Sequence, residues 1–209
     1  ADFAEVNCWY NAVVAVYTQN NKLITRSFDS VYIYESYELY KVYNDPDKID
    51  LEFRFSAKNF SRTLLEESAV LAHDAYVEWN CTSDLSEGLG FNDVKTYNYS
   101  QNFTEGFYAG HSVAFSLGWK DVLDENGEVV RLYAVVLRGT KGLNEWLSNF
   151  NIKTGTYPYG FDTATRDVYK ELVDYMVEHG GLDKCKIWLT GHSRGAAVAN
   201  LLSVVYLRS

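Results

Sequence analysis

The sequence predicts an α/β fold, a central sheet flanked by helices, and three observations carry that expectation. The nearly continuous apolar run Val129–Leu137 follows the turn segment Asp124-Glu125-Asn126-Gly127-Glu128 and reads as a central strand buried on both faces. A stripe of apolar residues at helical spacing covers residues 163–179. A second β-branched and aromatic run, Lys186-Ile187-Trp188-Leu189-Thr190, passes through Gly191-His192-Ser193-Arg194-Gly195 into the apolar stretch Ala196–Leu202. Strands alternating with helices in this way are the pattern of an α/β sheet.

Size and composition fit one ordinary globular domain. The chain has 209 residues, 47% of them hydrophobic and 22% charged. We expect one domain over residues 1–209, with a strand-rich region at 1–55 and a core at 56–209 that ends after the helix following Ser193. The 19 Lys and Arg are outnumbered by 28 Asp and Glu, for a net charge of −9, and no basic cluster tracks a phosphate backbone. Nucleic acid is therefore not an expected partner. Runs such as Leu132–Leu137 are far too short to span a membrane.

Element by element, Val31-Tyr32-Ile33-Tyr34 and Leu51-Glu52-Phe53-Arg54-Phe55 alternate as short strands do, with Asp45-Pro46-Asp47 as the turn between them. Thr63 and Glu66 form a capping-box pattern, and Leu64, Ser68, Leu71, Ala72, Ala75, Tyr76 and Trp79 share one helical stripe. Residues 80–106 carry Gly88, Gly90, Asn92 and Asn98 and read as loop. Val113, Phe115, Leu117 and Trp119 then alternate as the first strand of a hairpin whose second strand is Val129–Leu137. The next helix should cap at Asp162 or Thr163, bury Val168, Leu172, Tyr175 and Met176, and stop at Gly180-Gly181.

Three cysteines, Cys8, Cys81 and Cys185, are too few and scattered for a zinc site or a disulfide scaffold. A Cys8–Cys81 bridge stays open, and Cys185 reads as a small buried apolar residue. Asn-x-Ser/Thr sequons stand at Asn59, Asn80, Asn98 and Asn102. The chain starts at Ala1 without Met, and a secreted form is favoured slightly over a cytoplasmic one.

The chemistry sits at Gly191–Gly195. A serine held on a sharp strand-to-helix turn needs flanking glycines so that the backbone can reverse and the helix can pack on the strand. Ser193 is then a candidate nucleophile, with the backbone N–H of Arg194 at the helix amino end as a candidate oxyanion donor. The second donor should come from the loop after an earlier strand, and Val129–Leu137 runs into Arg138-Gly139-Thr140. His192, His73 and His111 read as structural or exposed histidines rather than bases, and Arg138 as a buried, paired arginine. No carboxylate spacing marks a glycosidase pair or a metal site, so no cofactor and no metal are expected.

Ala134-Val135-Val136-Leu137-Arg138-Gly139-Thr140, Asn144-Glu145-Trp146-Leu147-Ser148-Asn149-Phe150 and Gly191-His192-Ser193-Arg194-Gly195 together resemble the class 3 (fungal-type) lipases over roughly residues 59–207. The resemblance implies an α/β-hydrolase fold and a serine ester hydrolase acting on acylglycerols or related carboxylic esters, with Thr140 in the oxyanion hole. It also implies that Leu143, Trp146, Leu147 and Phe150 are the apolar face of a lid that meets a lipid interface; permanent packing in the core is the alternative for these side chains. In α/β hydrolases the triad Asp and His follow the serine, yet Arg194–Ser209 contain no Asp, Glu or His. The expectation is a longer protein that supplies them, with the last part of the fold absent from this chain. The alternatives are a non-catalytic binding module for acyl chains or a protein partner, and a base recruited from His73 or His111.

Overall fold

The computed structural model describes residues 16–17, 23–24, 46–54, 61–99, 112–140, 159–181 and 183–207. The chain divides into two compact units, Ala1–Val42 and Tyr43–Ser209. In the first, β1 (Val16–Tyr17) pairs antiparallel with β2 (Leu23–Ile24). The strand expected at Val31–Tyr34 lies outside the described residues.

The second unit is built on a four-stranded mixed sheet. Its strands are β3 (Asn92–Tyr97), β4 (Phe115–Leu123), β5 (Val129–Leu137) and β6 (Cys185–Gly191), side by side in that order. The first two neighbouring pairs are antiparallel and β5–β6 is parallel, so the carboxyl ends of β5 and β6 lie together, with Leu137 opposite Gly191. The hairpin between β4 and β5 turns where the Asn-Gly signal placed it. The Asp124 carboxylate accepts from the backbone N–H of Asn126 at 2.8 Å and of Glu128 at 2.9 Å. Gly127 supplies the left-handed residue, φ 78°.

Helices cover both faces of the sheet. They are α1 (Pro46–Glu52), α2 (Arg62–Asp74), α3 (Glu78–Ser83), α4 (Tyr159–Glu178) and α5 (Arg194–Leu201), with single π-helical turns at Asp84–Gly88 and Leu202–Tyr206. Because side chains alternate along a strand, β5 feeds two cores. Leu132, Ala134 and Val136 face Ile49, Leu71, Leu85, Phe91 and Trp188, while Tyr133, Val135 and Leu137 face Val168, Leu172, Met176, Val198 and Leu202. The expected burial of β5 on both sides is met from Leu132 onward. Helix α4 buries Val168, Leu172, Tyr175 and Met176 as its spacing requires. It ends on Gly180 (φ 122°) and Gly181 (φ 84°), where the Gly181 N–H reaches back to the Met176 carbonyl at 2.7 Å.

Several expectations are corrected. Leu51-Glu52 belong to a helix rather than a strand, since Pro46 opens α1 at the position where its missing N–H costs nothing. Ser61, not Thr63, caps α2: its backbone is extended and its hydroxyl accepts from the Leu64 N–H at 3.1 Å. The stripe that was to run to Trp79 stops at Asp74, where the Tyr76 and Val77 amides bond back to His73 and Asp74 and tighten the chain into a turn. The change of phase leaves Trp79 73% exposed. Residues 80–97 are not loop but α3, a π-helical turn and β3, anchored by fully buried Cys81, Leu85 and Leu89. Helix α4 begins at Tyr159, ahead of the expected cap, and Asp162 instead pairs with Arg166 at 3.0 Å. Among the described residues, no helix is long and apolar enough to cross a membrane.

Candidate active site

The exits of two strands meet at the carboxyl ends of β5 and β6. Past Leu137 the chain runs through Arg138, Gly139 and Thr140; past its partner Gly191 it runs through His192, Ser193 and Arg194. Ser193 has φ 52° and ψ −115°, a backbone that L residues rarely hold. Such a conformation costs about 1–3 kcal/mol and persists only where its surroundings fix it. Ser193 is exposed, whereas His192 and Arg194 on either side are 6% and 3% exposed.

The glycines explain how the turn is held. A Cβ on Gly191 would lie 2.8 Å from the Gly195 backbone carbon and 2.9 Å from the Leu137 oxygen. A Cβ on Gly195 would collide with the Leu137 carbonyl and stand 2.9 Å from the Arg138 oxygen. Helix α5 can thus start directly against the end of β5 only without side chains at these two positions. The Gly195 N–H donates to the His192 carbonyl at 2.9 Å and the Ala197 N–H to the Ser193 carbonyl at 3.1 Å, closing the reversal. Arg194 opens α5, so its amide lies at the positive end of the helix, and its guanidinium lies 5.8 Å from the Phe161 ring centre. Thr140 is buried, 8% exposed.

His192 is buried. Its Nδ1 and the Tyr76 hydroxyl are 2.9 Å apart, and the two rings are 6.0 Å apart. Arg138 is buried with its guanidinium 5.5 Å from the Tyr99 ring centre. His73 is close to half exposed, and its hydrogen bond with Asp74 raises its pKa. His111 and the proposed lid residues Leu143, Trp146, Leu147 and Phe150 lie outside the described residues. Cys81 is a free thiol, and the Cys8 of the suggested bridge lies outside the described residues; burial pushes the Cys81 pKa up to about 12, and its Sγ lies 3.4 Å from the Ser116 hydroxyl. Cys185 is half-buried rather than fully enclosed.

Two groups of residues escaped sequence reasoning. Tyr76 was assigned to an apolar stripe, with no signal for the partner 116 residues away. Glu67 lies on α2, fully buried, with both carboxylate oxygens lacking a hydrogen-bond partner. Burial, and then the charges of Asp84 and Asp74, push its pKa up to about 8.

At the opposite end of the sheet, Asp93, Glu178 and His179 bring ligand-type atoms within 4.8 Å of one another. Lys95 already fills the place of a cation there, 2.8 Å from Glu178 and 3.3 Å from Asp93, while His179 Nε2 is 2.8 Å from Asp93. An open groove lined by Leu51, Arg54, Asp121, Leu123 and Val129 also lies at that end, away from Ser193.

Residues 134–209 match the family model described as Lipase (class 3). No curated protein and no solved structure matches the chain.

Proposed function

We propose, from the match of residues 134–209 to the class 3 lipase family model, that Ser193 is the nucleophile of a carboxylic-ester hydrolase of lipase or esterase type on an α/β-hydrolase fold. The observation that carries the reading is the backbone of Ser193 itself. A strained, exposed serine stands between two glycines that admit no Cβ, beside the β5 exit that leads to Thr140.

In this reading the Ser193 Oγ attacks an ester carbonyl carbon and its proton passes to a general base. The backbone amides of Arg194 and Thr140 hold the oxyanion, helped by the dipole of α5. The C–O bond to the leaving group breaks, the alcohol departs with a proton, and water then repeats the sequence on the acyl-serine to release the acid. The substrate class is a lipid or small ester. No acid or base is assigned to a residue of this chain. A second reading is a binding module for acyl chains built on the same fold.

Fluorophosphonate labelling and p-nitrophenyl butyrate hydrolysis separate the two. The hydrolase reading expects covalent label on Ser193, loss of label and turnover in Ser193→Ala, and about tenfold slower turnover in Thr140→Ala. Fatty-acid binding without any label on Ser193 supports the binding module instead. A Ser193→Ala protein that hydrolyses the ester at the parent rate refutes the assignment.

A further inference from the structure

The Tyr76 hydroxyl touches both strand exits at once. It lies 2.9 Å from His192 Nδ1, immediately before the serine, and it occupies the space that a Cβ on Gly139 would need, immediately before Thr140. The same hypothetical Cβ would stand 2.8 Å from the His192 carbonyl oxygen, so Tyr76, Gly139 and His192 converge on one point. Gly139 directly precedes Thr140, and His192 lies two residues before Arg194, the two residues proposed to define the oxyanion hole.

The Tyr76 side is firmly held. Its amide bonds to the His73 carbonyl at 3.1 Å, the next amide bonds to Asp74 at 3.0 Å, and Ala75 beside it is fully buried. The His192 side is equally fixed, since its carbonyl accepts from Gly195 at 2.9 Å and its ring is enclosed. A hydrogen bond between two anchored groups transmits position, because neither can turn without moving the backbone that carries it.

We propose that Tyr76 is a positioning residue that clasps the β5 exit to the β6 elbow and so sets the distance between the Thr140 and Arg194 amides. The clasp itself rests only on the geometry; its effect on turnover rests on the ester-hydrolase reading above. Tyr76 touches no reacting atom and acts through His192 and Gly139. Glycine is then required at 139 for a reason separate from backbone freedom: the hydroxyl of a residue on another element fills its side-chain space.

The test compares Tyr76→Phe with the parent. Phenylalanine keeps the ring and removes the hydroxyl, so the expected results are a retained fold by circular dichroism and a displaced imidazole ¹⁵N signal for His192. The signal of His73, whose partner is Asp74, should stay in place. The amide signals of Gly139, Thr140, Ser193 and Arg194 should move together. Against p-nitrophenyl butyrate, kcat should fall about tenfold or more with KM little changed, because hole geometry is used in the transition state. Site-specific 3-fluorotyrosine at position 76 keeps the hydroxyl and makes it more acidic; it should shift the His192 signal even if the phenylalanine variant does not fold. An unmoved His192 signal in both variants, or unmoved Thr140 and Arg194 amides in folded Tyr76→Phe, overturns the clasp. A parent protein without Ser193-dependent turnover removes the hydrolase reading and leaves the clasp to be decided by those resonances.

Discussion

Gly195 sits against the Leu137 carbonyl oxygen with no room for a methyl group between them. The start of α5 is thereby welded to the end of β5, and the intervening Ser193 is forced into its strained turn. Gly195→Ala has to push helix and strand apart, and the expected cost is about 2–3 kcal/mol, as for other overpacked sites. Thermal denaturation should show a loss of roughly 5–10 °C for a chain of this size. Gly127→Ala is the control, because nothing lies within 4 Å of its Cβ position and only the positive φ of 78° resists the change. It should cost about 1 kcal/mol. Equal losses at the two sites refute the close approach at Gly195.

What could be read from the sequence follows from how local each constraint is. The elbow was legible because its glycines and serine lie within five residues between a strand run and an apolar helical run, although the β5 carbonyls that press on those glycines are distant in sequence, and the hairpin because Asn126-Gly127 encodes a positive φ on its own. Val168, Leu172, Tyr175 and Met176 repeat at the period of a single helix, so their burial needed no knowledge of a partner. Leu51–Phe55 misled because alternation over five residues is weaker than the helix start imposed by Pro46. Ser61 was passed over because the cap is chosen by which residue takes an extended backbone, not by the capping-box spacing at Thr63. The Tyr76–His192 pair and the enclosure of Glu67 are products of tertiary packing, and nothing near them in sequence announces either.

The free thiol of Cys81 leads to a reactivity order. Its pKa is held near 12 chiefly by burial, so almost no thiolate exists at neutral pH, and no reagent reaches the side chain at 0% exposure. Cys185 is also raised by burial, yet it stands half-buried at the start of β6. Iodoacetamide at pH 8 should therefore modify Cys185 faster than Cys81 in the native protein, and both quickly in denaturant. Peptide mapping by mass spectrometry reads the order directly. A Cys81 peptide that appears only after reduction contradicts the thiol.

Glu67 sets a pH dependence of stability. Its carboxyl is raised from 4.5 to about 8 in the folded chain, first by burial and then by Asp84 and Asp74, with Lys120 opposing. Between those two values the native state holds a proton that the unfolded chain has released, so the slope of unfolding free energy with pH is negative. The contribution is fully present below pH 4.5 and is lost as pH rises toward 8. A shift of this size corresponds to several kcal/mol, at about 1.4 per pH unit. The His73–Asp74 hydrogen bond acts in the same direction: it raises the His73 pKa above 6.5, so its stabilisation also fades at alkaline pH. Glu67→Gln keeps the shape and cannot ionise. Its melting temperature should match the parent near pH 5 and exceed it by several degrees near pH 8.5, leaving only the shallower His73 slope. A Glu67→Gln profile that falls as steeply as the parent's between pH 5 and 8 shows that the buried carboxyl is not the group being titrated.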